Sequence, residues 1–379
     1  MKFISLGIID KKFWIPVLGG IINLLYTIFI RYSPKYRIIY QNPLLVTIYT
    51  SLGMILSFIP FVIIKRKSKA ANTKLFKSEY FMKLKDSKDA IKKTKFKKFR
   101  FIFYSTSFDF LETLLVTVFI KYSVYNLWIF DIIFMSLFSF LILKTKYYKH
   151  QFISMIVIVI LGLGLNIVAF FKYDKTGVYL KSFNTFLQFI TEICFCLWGI
   201  IMKYNMEKNY CNPYELCLWQ GIFEFILHSI CLIIFCRFEL SVNGIQYPDI
   251  LIKYFNDFNY NDLIICLSRI IKDFIFNISV ILTCDYFAPI HILIIWIISE
   301  TGYHLLPNSN WALNILSIFI LVVITIMFLV FIEVIEINIF NISYNTKKNI
   351  KLRSIKDCLL EFDSGSFLVD EPNLDEKSE

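Results

Sequence analysis

The sequence predicts an all-α integral membrane protein of about ten transmembrane helices, arranged as two inverted five-helix repeats. Three observations predict it. Apolar runs exceed the roughly 18 uncharged residues needed to cross a bilayer. Lys and Arg gather on one set of alternate loops. Paired motifs recur at nearly fixed offsets in the two halves.

The 379 residues are 57% hydrophobic and only 18% charged. A soluble domain carries about 25% charge, so water is not expected to be the only solvent. The formal net charge of +11 is concentrated: Lys65–Arg100 holds 15 Lys/Arg against Glu79, Asp86 and Asp89. That one segment accounts for the whole excess and lies between two apolar runs, where it reads as a cytoplasmic loop beside anionic lipid. No nucleic-acid partner is expected. The nine cysteines form no CxxC pair and lie mostly in apolar runs, where a thiol behaves as a small hydrophobe. Neither a metal site nor a disulfide framework is expected.

The elements follow in order. Residues 1–12 are a cytoplasmic N-terminus in which Lys11 and Lys12 precede the first span, Phe13–Ile30. That run is too long for a signal-peptide core and lacks a small-residue cleavage site. The first repeat, 13–171, continues with Pro43–Ile64, the basic cytoplasmic loop 65–100, Phe101–Ile120, Val124–Leu143 and Phe152–Phe171. A connecting loop, 172–184, leads to the second repeat, 185–336. Its spans are Thr185–Lys203, Pro213–Cys236, Asp262–Thr283, Pro289–Leu306 and Leu313–Val334. Tight joins at Lys121–Ser123 and Asp285–Ala288 demand antiparallel neighbours. The tail, 337–379, is basic at first and then acidic, and is expected to be disordered.

With both termini in the cytoplasm, 29 Lys/Arg fall inside, counting Lys203 at the end of its span, and 9 outside, and Arg269 and Lys272 lie within a span. Asn42-Pro43 and Asn212-Pro213 open equivalent spans 170 residues apart, Asn serving as cap and Pro as first helical residue. An offset of 164 aligns Asp109-Phe110 with Asp273-Phe274 and Tyr122 with Tyr286. Five spans per half is an odd number, so the second half must enter the membrane upside down. Inverted repeats of this kind mark secondary transporters, with the site at the midplane between them.

The chain resembles the drug/metabolite transporter superfamily, and within it the nucleotide-sugar-transporter-like solute carrier family 35 branch. The resemblance rests on Asp109–Ile120 with its turn Lys121-Tyr122-Ser123, and on Leu141–Tyr148 leading into Gly162-Leu163-Gly164. It rests further on Lys203–Gly221, with Asn-Pro-Tyr-Glu and Trp-Gln-Gly, and on Glu333–Asn338 ahead of Asn345–Asn349. It covers nearly the whole chain and implies a ten-helix, five-plus-five transporter. Members move nucleotide sugars, nucleotides, vitamins, amino acids, peptides and drugs. The long basic loop departs from the compact family pattern. An endomembrane location (Golgi, ER or vacuole/lysosome) is expected, with the plasma membrane as the alternative.

Ionisable groups inside spans carry the site expectation, because each costs roughly 2.5–3.5 kcal/mol at a helix centre and so faces a cavity or a partner. Asp109 and Glu112 share a face of the third span; Arg269, Lys272 and Asp273 lie in the eighth, with Asn277 one turn further. These six are the expected substrate-binding or gating residues. In one reading Lys272 or Arg269 meets an anionic group of a small polar substrate, and Asp109 or Glu112 is the protonatable or gating partner. In the other, the charges form a structural ion pair; Glu112 and Lys272 lie at similar depth on helices equivalent in the repeat, so Asp109 or Glu112 is expected to approach Lys272 across the cavity. Asp131, Glu192 and Glu215 are further candidates for cavity lining, Glu224 could be cavity or interfacial, and His228 reads as a satisfied core residue. HExxH, GxSxG, P-loop and GxGxxG patterns are absent from the sequence, so neither an enzyme nor a cofactor is expected. The apolar tenth span is expected to face lipid or another protomer, which leaves a homodimer open. The alternative function is a non-transporting membrane scaffold or sorting protein, which would tolerate exchange of the midplane charges for apolar residues.

Overall fold

Helix lets an apolar segment satisfy its own backbone donors and acceptors internally. The computed structural model describes residues 4–6, 11–32, 43–75, 88–116, 130–172, 178–209, 211–242, 245–256, 258, 260–304, 311–337 and 346. Its helices are α1 (Trp14–Tyr32), α2 (Pro43–Ile55), α3 (Phe58–Leu75), α4 (Lys88–Leu114), α5 (Asp131–Phe138) and α6 (Lys149–Lys172). They continue as α7 (Val178–Asn209), α8 (Pro213–Arg237), α9 (Asp249–Asn256), α10 (Tyr260–Tyr286), α11 (Ile292–His304) and α12 (Trp311–Phe331). Four short strands join them: β1 (Ile4–Leu6), β2 (Ser241–Val242), β3 (Ile245–Gln246) and β4 (Ile335–Ile337). Strand β1 pairs antiparallel with β4, Ile4 opposite Ile337, and β2 pairs with β3.

Each of the ten predicted segments contains helix. Among the described residues three stretches are long and apolar enough to cross a membrane: Leu44–Arg66, Asn184–Asn209 and Pro213–Arg237. Trp14–Phe29, Asp131–Leu143, Lys149–Gly164, Pro289–Ser299 and Ile315–Phe331 are shorter apolar helices.

The predicted boundaries need several corrections. The second segment is broken at Leu56-Ser57, between α2 and α3. Pro60 explains the break: it has no N–H to give Leu56, four residues earlier, and its ring crowds that carbonyl. The Leu56 carbonyl instead accepts from Ile59 N at 3.0 Å. The basic segment 65–100 is not a loop throughout, since α3 runs into it as far as Leu75 and α4 begins at Lys88; residues 76–87 lie outside those described. The connection 172–184 is likewise partly helical, α7 starting at Val178. Helix α9 and the β2–β3 pair occupy a stretch read only as an external loop. The Lys121–Ser123 join, Asn42, and the tail beyond Ile337 apart from Thr346 fall outside the described residues.

At the start of α8 the capping expectation meets its geometry. The Asn212 side chain accepts from Tyr214 N at 2.9 Å, with Pro213 at the first helical position.

Apolar side chains form the core, yet extensive apolar faces also remain on the outside, and polar groups are buried within. Phe152, Ile156, Ile160 and Leu163 form an exposed apolar stripe on α6, as do Ile315, Phe319, Val322 and Ile326 on α12. The interior holds Thr47, Ser51, Asn205, Gln220, Glu224 and Asp273. Large exposed apolar faces seek an apolar surrounding.

The packing positions a central site. Helix α2 lies against both α8 and α10, α4 against α7 and α8, and α1 against α10 and α11. Helix α5 packs on α7, and α6 on α12. Two glycines let α2 approach so closely. A Cβ at Gly221 would lie 2.6 Å from Met54 Cβ, and one at Gly53 would lie 2.8 Å from the Ile270 carbonyl oxygen. Small residues at such contacts let helix backbones approach closely.

Candidate functional site

A cavity of about 170 Å³ opens where these helices meet. Helix α2 contributes Thr47, Thr50 and Met54, and α4 contributes Asp109, Glu112 and Thr113. The other wall comprises Phe195 and Trp198 from α7, Glu224 and His228 from α8, Phe276, Asn277 and Val280 from α10, and Trp296 from α11. Residues of both sequence halves therefore enclose it. At roughly 30 Å³ per water, its volume equals about six waters. That is small beside the roughly 300–1,000 Å³ typical of drug-sized ligands.

The acidic wall is organised by one amide. Gln220 Nε2 donates to an Asp109 carboxylate oxygen and, at 2.9 Å, to Glu224 Oε1. Gln220, Glu224 and His228 are spaced by four residues on α8, so they share a face of that helix. Glu112 sits one turn from Asp109 and accepts from Thr113 Oγ1 at 3.2 Å. Like charges this close cannot all ionise without a compensating cation.

The basic residues form a separate arrangement on α10. Asp273 accepts from Arg269 Nε at 2.5 Å, Lys272 Nζ at 2.7 Å and Thr50 Oγ1 at 2.8 Å. Lys272 also lies over the rings of Tyr26 and Phe276, 5.3 and 5.1 Å from their centroids. Asp273 is buried, and its two basic partners are nearly so. Asn277 donates to the Asp273 carbonyl at 2.8 Å while its side chain lines the cavity.

Thus Asp109, Glu112 and Asn277 come together at the cavity, whereas Arg269, Lys272 and Asp273 form a triad beside it, tied to α2 through Thr50. Asp131, buried at the start of α5, accepts from Cys196 Sγ at 3.6 Å and neighbours Glu192; neither carboxyl is among the cavity-lining residues. Glu215 pairs with Lys98 and is not in the cavity wall either. Its place in the first turn of α8 suits an acid on dipole grounds.

His228 departs from the expectation of a satisfied core residue. It is 1% exposed and lines the cavity, and its ring has only the Glu224 backbone carbonyl nearby, short of a hydrogen bond of good geometry. The Trp198 indole N–H, in the same wall, also has none. Gln220 escaped the sequence reading, although its i, i+4, i+8 spacing with Glu224 and His228 was there to be seen. Among the described residues no three His, Cys, Asp or Glu side chains are arranged so that they could hold a metal ion.

A larger cleft of about 260 Å³ lies between α5, α6 and α12, walled mainly by Ile133, Leu137, Phe140, Phe152, Met155 and Phe331. It contains no charged side chain, and its apolar walls suit a hydrocarbon chain better than a polar solute.

Outside the bundle, burial pushes the Cys211 thiol up to about 12, partly opposed by the nearby Lys98 charge. Burial likewise pushes the Tyr247 hydroxyl up to about 12.

No protein-family model matches the chain, and no curated protein matches it significantly.

Proposed function

We propose that the chain is a ten-span integral membrane protein and a secondary transporter, moving a small polar metabolite by alternating access between two inverted five-helix halves. The observation that carries this reading is the cavity, polar on one side and aromatic on the other, enclosed by α2 and α4 from one half and α7, α8, α10 and α11 from the other. A polar cavity within a bundle whose outer faces are apolar is costly unless a polar solute uses it.

The neighbour relations support the inverted repeat. Exchange α1 with α7, α2 with α8, α4 with α10, α5 with α11 and α6 with α12. The α4–α7 contact then becomes α10–α1, α1–α11 becomes α7–α5, and α2–α10 becomes α8–α4, all of which occur. The α2–α8 and α6–α12 contacts map onto themselves. A two-fold axis in the membrane plane would generate this pattern. The β1–β4 pairing supports an even number of crossings, since it joins the segment before α1 to the segment after α12.

The resemblance to the solute carrier family 35 branch fits the same architecture, and an endomembrane location and lipid contact at 65–100 follow from that reading. The exposed stripe of α12 is the face on which a homodimer would form. The test is uptake into proteoliposomes against a panel of nucleotide sugars, nucleotides, vitamins, amino acids and amines. Saturable uptake of at least one, absent from protein-free liposomes, is expected; uptake of none in folded protein contradicts the proposal.

A further inference from the structure

We infer that the cavity selects a small organic cation, a protonated amine carrying a second hydrogen-bonding group, rather than an anion. The inference deepens the transporter reading and rests on it for its biological meaning. Asp109, Glu112 and Glu224 bring three carboxyls to one small cavity, and among the described residues no Lys or Arg lines it. The two basic side chains that would favour an anion, Arg269 and Lys272, are both engaged by Asp273. An anion would thus meet three acids with no free cation to offset them. An ammonium would instead supply the compensation those acids need.

Two further observations point to the rest of the ligand. Trp198 is 5% exposed and lines the cavity, yet its indole N–H lacks a hydrogen-bond partner, and the His228 ring, 1% exposed in the same wall, has only the Glu224 backbone within reach. Buried donors and acceptors left unpaired are uncommon and costly, so a hydroxyl or carbonyl of the ligand is their natural partner. Phe276 and Trp296 meet edge to face, centroids 5.7 Å apart, in the same wall. Aromatic faces of this kind attract a desolvated cation or stack on a ring.

Three near-isosteric probes separate charge from shape: tyramine, neutral tyrosol and anionic 4-hydroxyphenylacetate. Binding of each is measured by calorimetry on the full chain in nanodiscs at neutral pH. Tyramine is expected to bind at least about tenfold more tightly than either isostere, a difference of about 1.4 kcal/mol. The Glu112→Gln and Glu224→Gln variants should each narrow that preference. Equal or tighter binding of 4-hydroxyphenylacetate, or no tyramine binding at millimolar concentration, overturns the inference, and neither comparison requires a variant to fold. Tyramine binding with no flux of any solute would sink the transporter reading and leave the charge selectivity standing. Flux of anions without tyramine binding would do the reverse.

Discussion

Lys272 Nζ donates to Asp273, its neighbour in sequence, at 2.7 Å rather than reaching across the cavity to Glu112. Helix α10 therefore neutralises much of its own charge, and among the described residues the α4 carboxyls at the cavity have no basic partner. Asp273 is the hub, since Arg269 and Thr50 bond to it as well.

Removing the hub takes away the carboxylate that neutralises two nearly buried cations, a change of the kind that typically costs about 3–5 kcal/mol. Asp273→Asn should lower the detergent-solubilised melting temperature by several degrees and reduce yield. Adding Lys272→Met should recover part of the loss. Glu215→Gln is the contrast. Its partner Lys98 is 19% exposed and Glu215 itself 25%, so about 0–1 kcal/mol is at stake and the melting temperature should barely move. Equal effects from the two single variants would contradict this division.

Close approach of α2 and α8 makes a second prediction. At Gly221 an added methyl collides with Met54 Cβ and with α2 backbone at 2.9 Å, whereas nothing lies within 4 Å of a Cβ at Gly164. Gly221→Ala should destabilise by roughly 1–3 kcal/mol. Gly164→Ala should stabilise by roughly 0.5–1 kcal/mol, because alanine is the better helix former. Thermal melts of the two variants beside the parent check both signs.

Cys211 supplies a chemical probe of the α7–α8 turn. The thiolate is the reactive form, and burial pushes this thiol up to about 12. Maleimide at pH 7 should leave Cys211 unlabelled in the folded protein and label it after denaturation, as read by peptide mass spectrometry. Rapid labelling of the native state would show the turn to be open.

Strand pairing between β1 and β4 bears on topology. Both termini should be reached by antibody against appended tags only after the cytoplasmic side is opened. Detection on opposite sides would require an odd number of crossings and remove the inverted repeat.

Much of the architecture was legible because the patterns behind it are strong. Apolar runs give the helices, and Asn212-Pro213 marks a helix start through a cap that needs only local chemistry. The α2–α3 break was also written in the sequence, at Pro60, but hydropathy does not register a single missing donor inside an apolar run. Partner choice was less legible. Depth and repeat offset placed Glu112 and Lys272 at similar levels, yet pairing depends on rotamers and helix rotation, and Asp273 was nearer. Asp109, Glu112 and Asn277 were identifiable as charged or polar groups inside spans. Gln220 and His228 carry no charge signal of that kind, and their helical spacing with Glu224 is the feature that could have identified them.

The central claim is that the α4–α8 carboxyls serve a transported solute. Counterflow of the solute found by the uptake panel tests it most directly, comparing parent protein with Glu112→Gln and Glu224→Gln, each normalised to folded protein. Loss of most counterflow in both variants, with melting temperatures near that of the parent, is the expected result. Counterflow at the parent rate in both, or none above protein-free liposomes in the parent itself, would contradict the account and favour a scaffold that merely tolerates these charges.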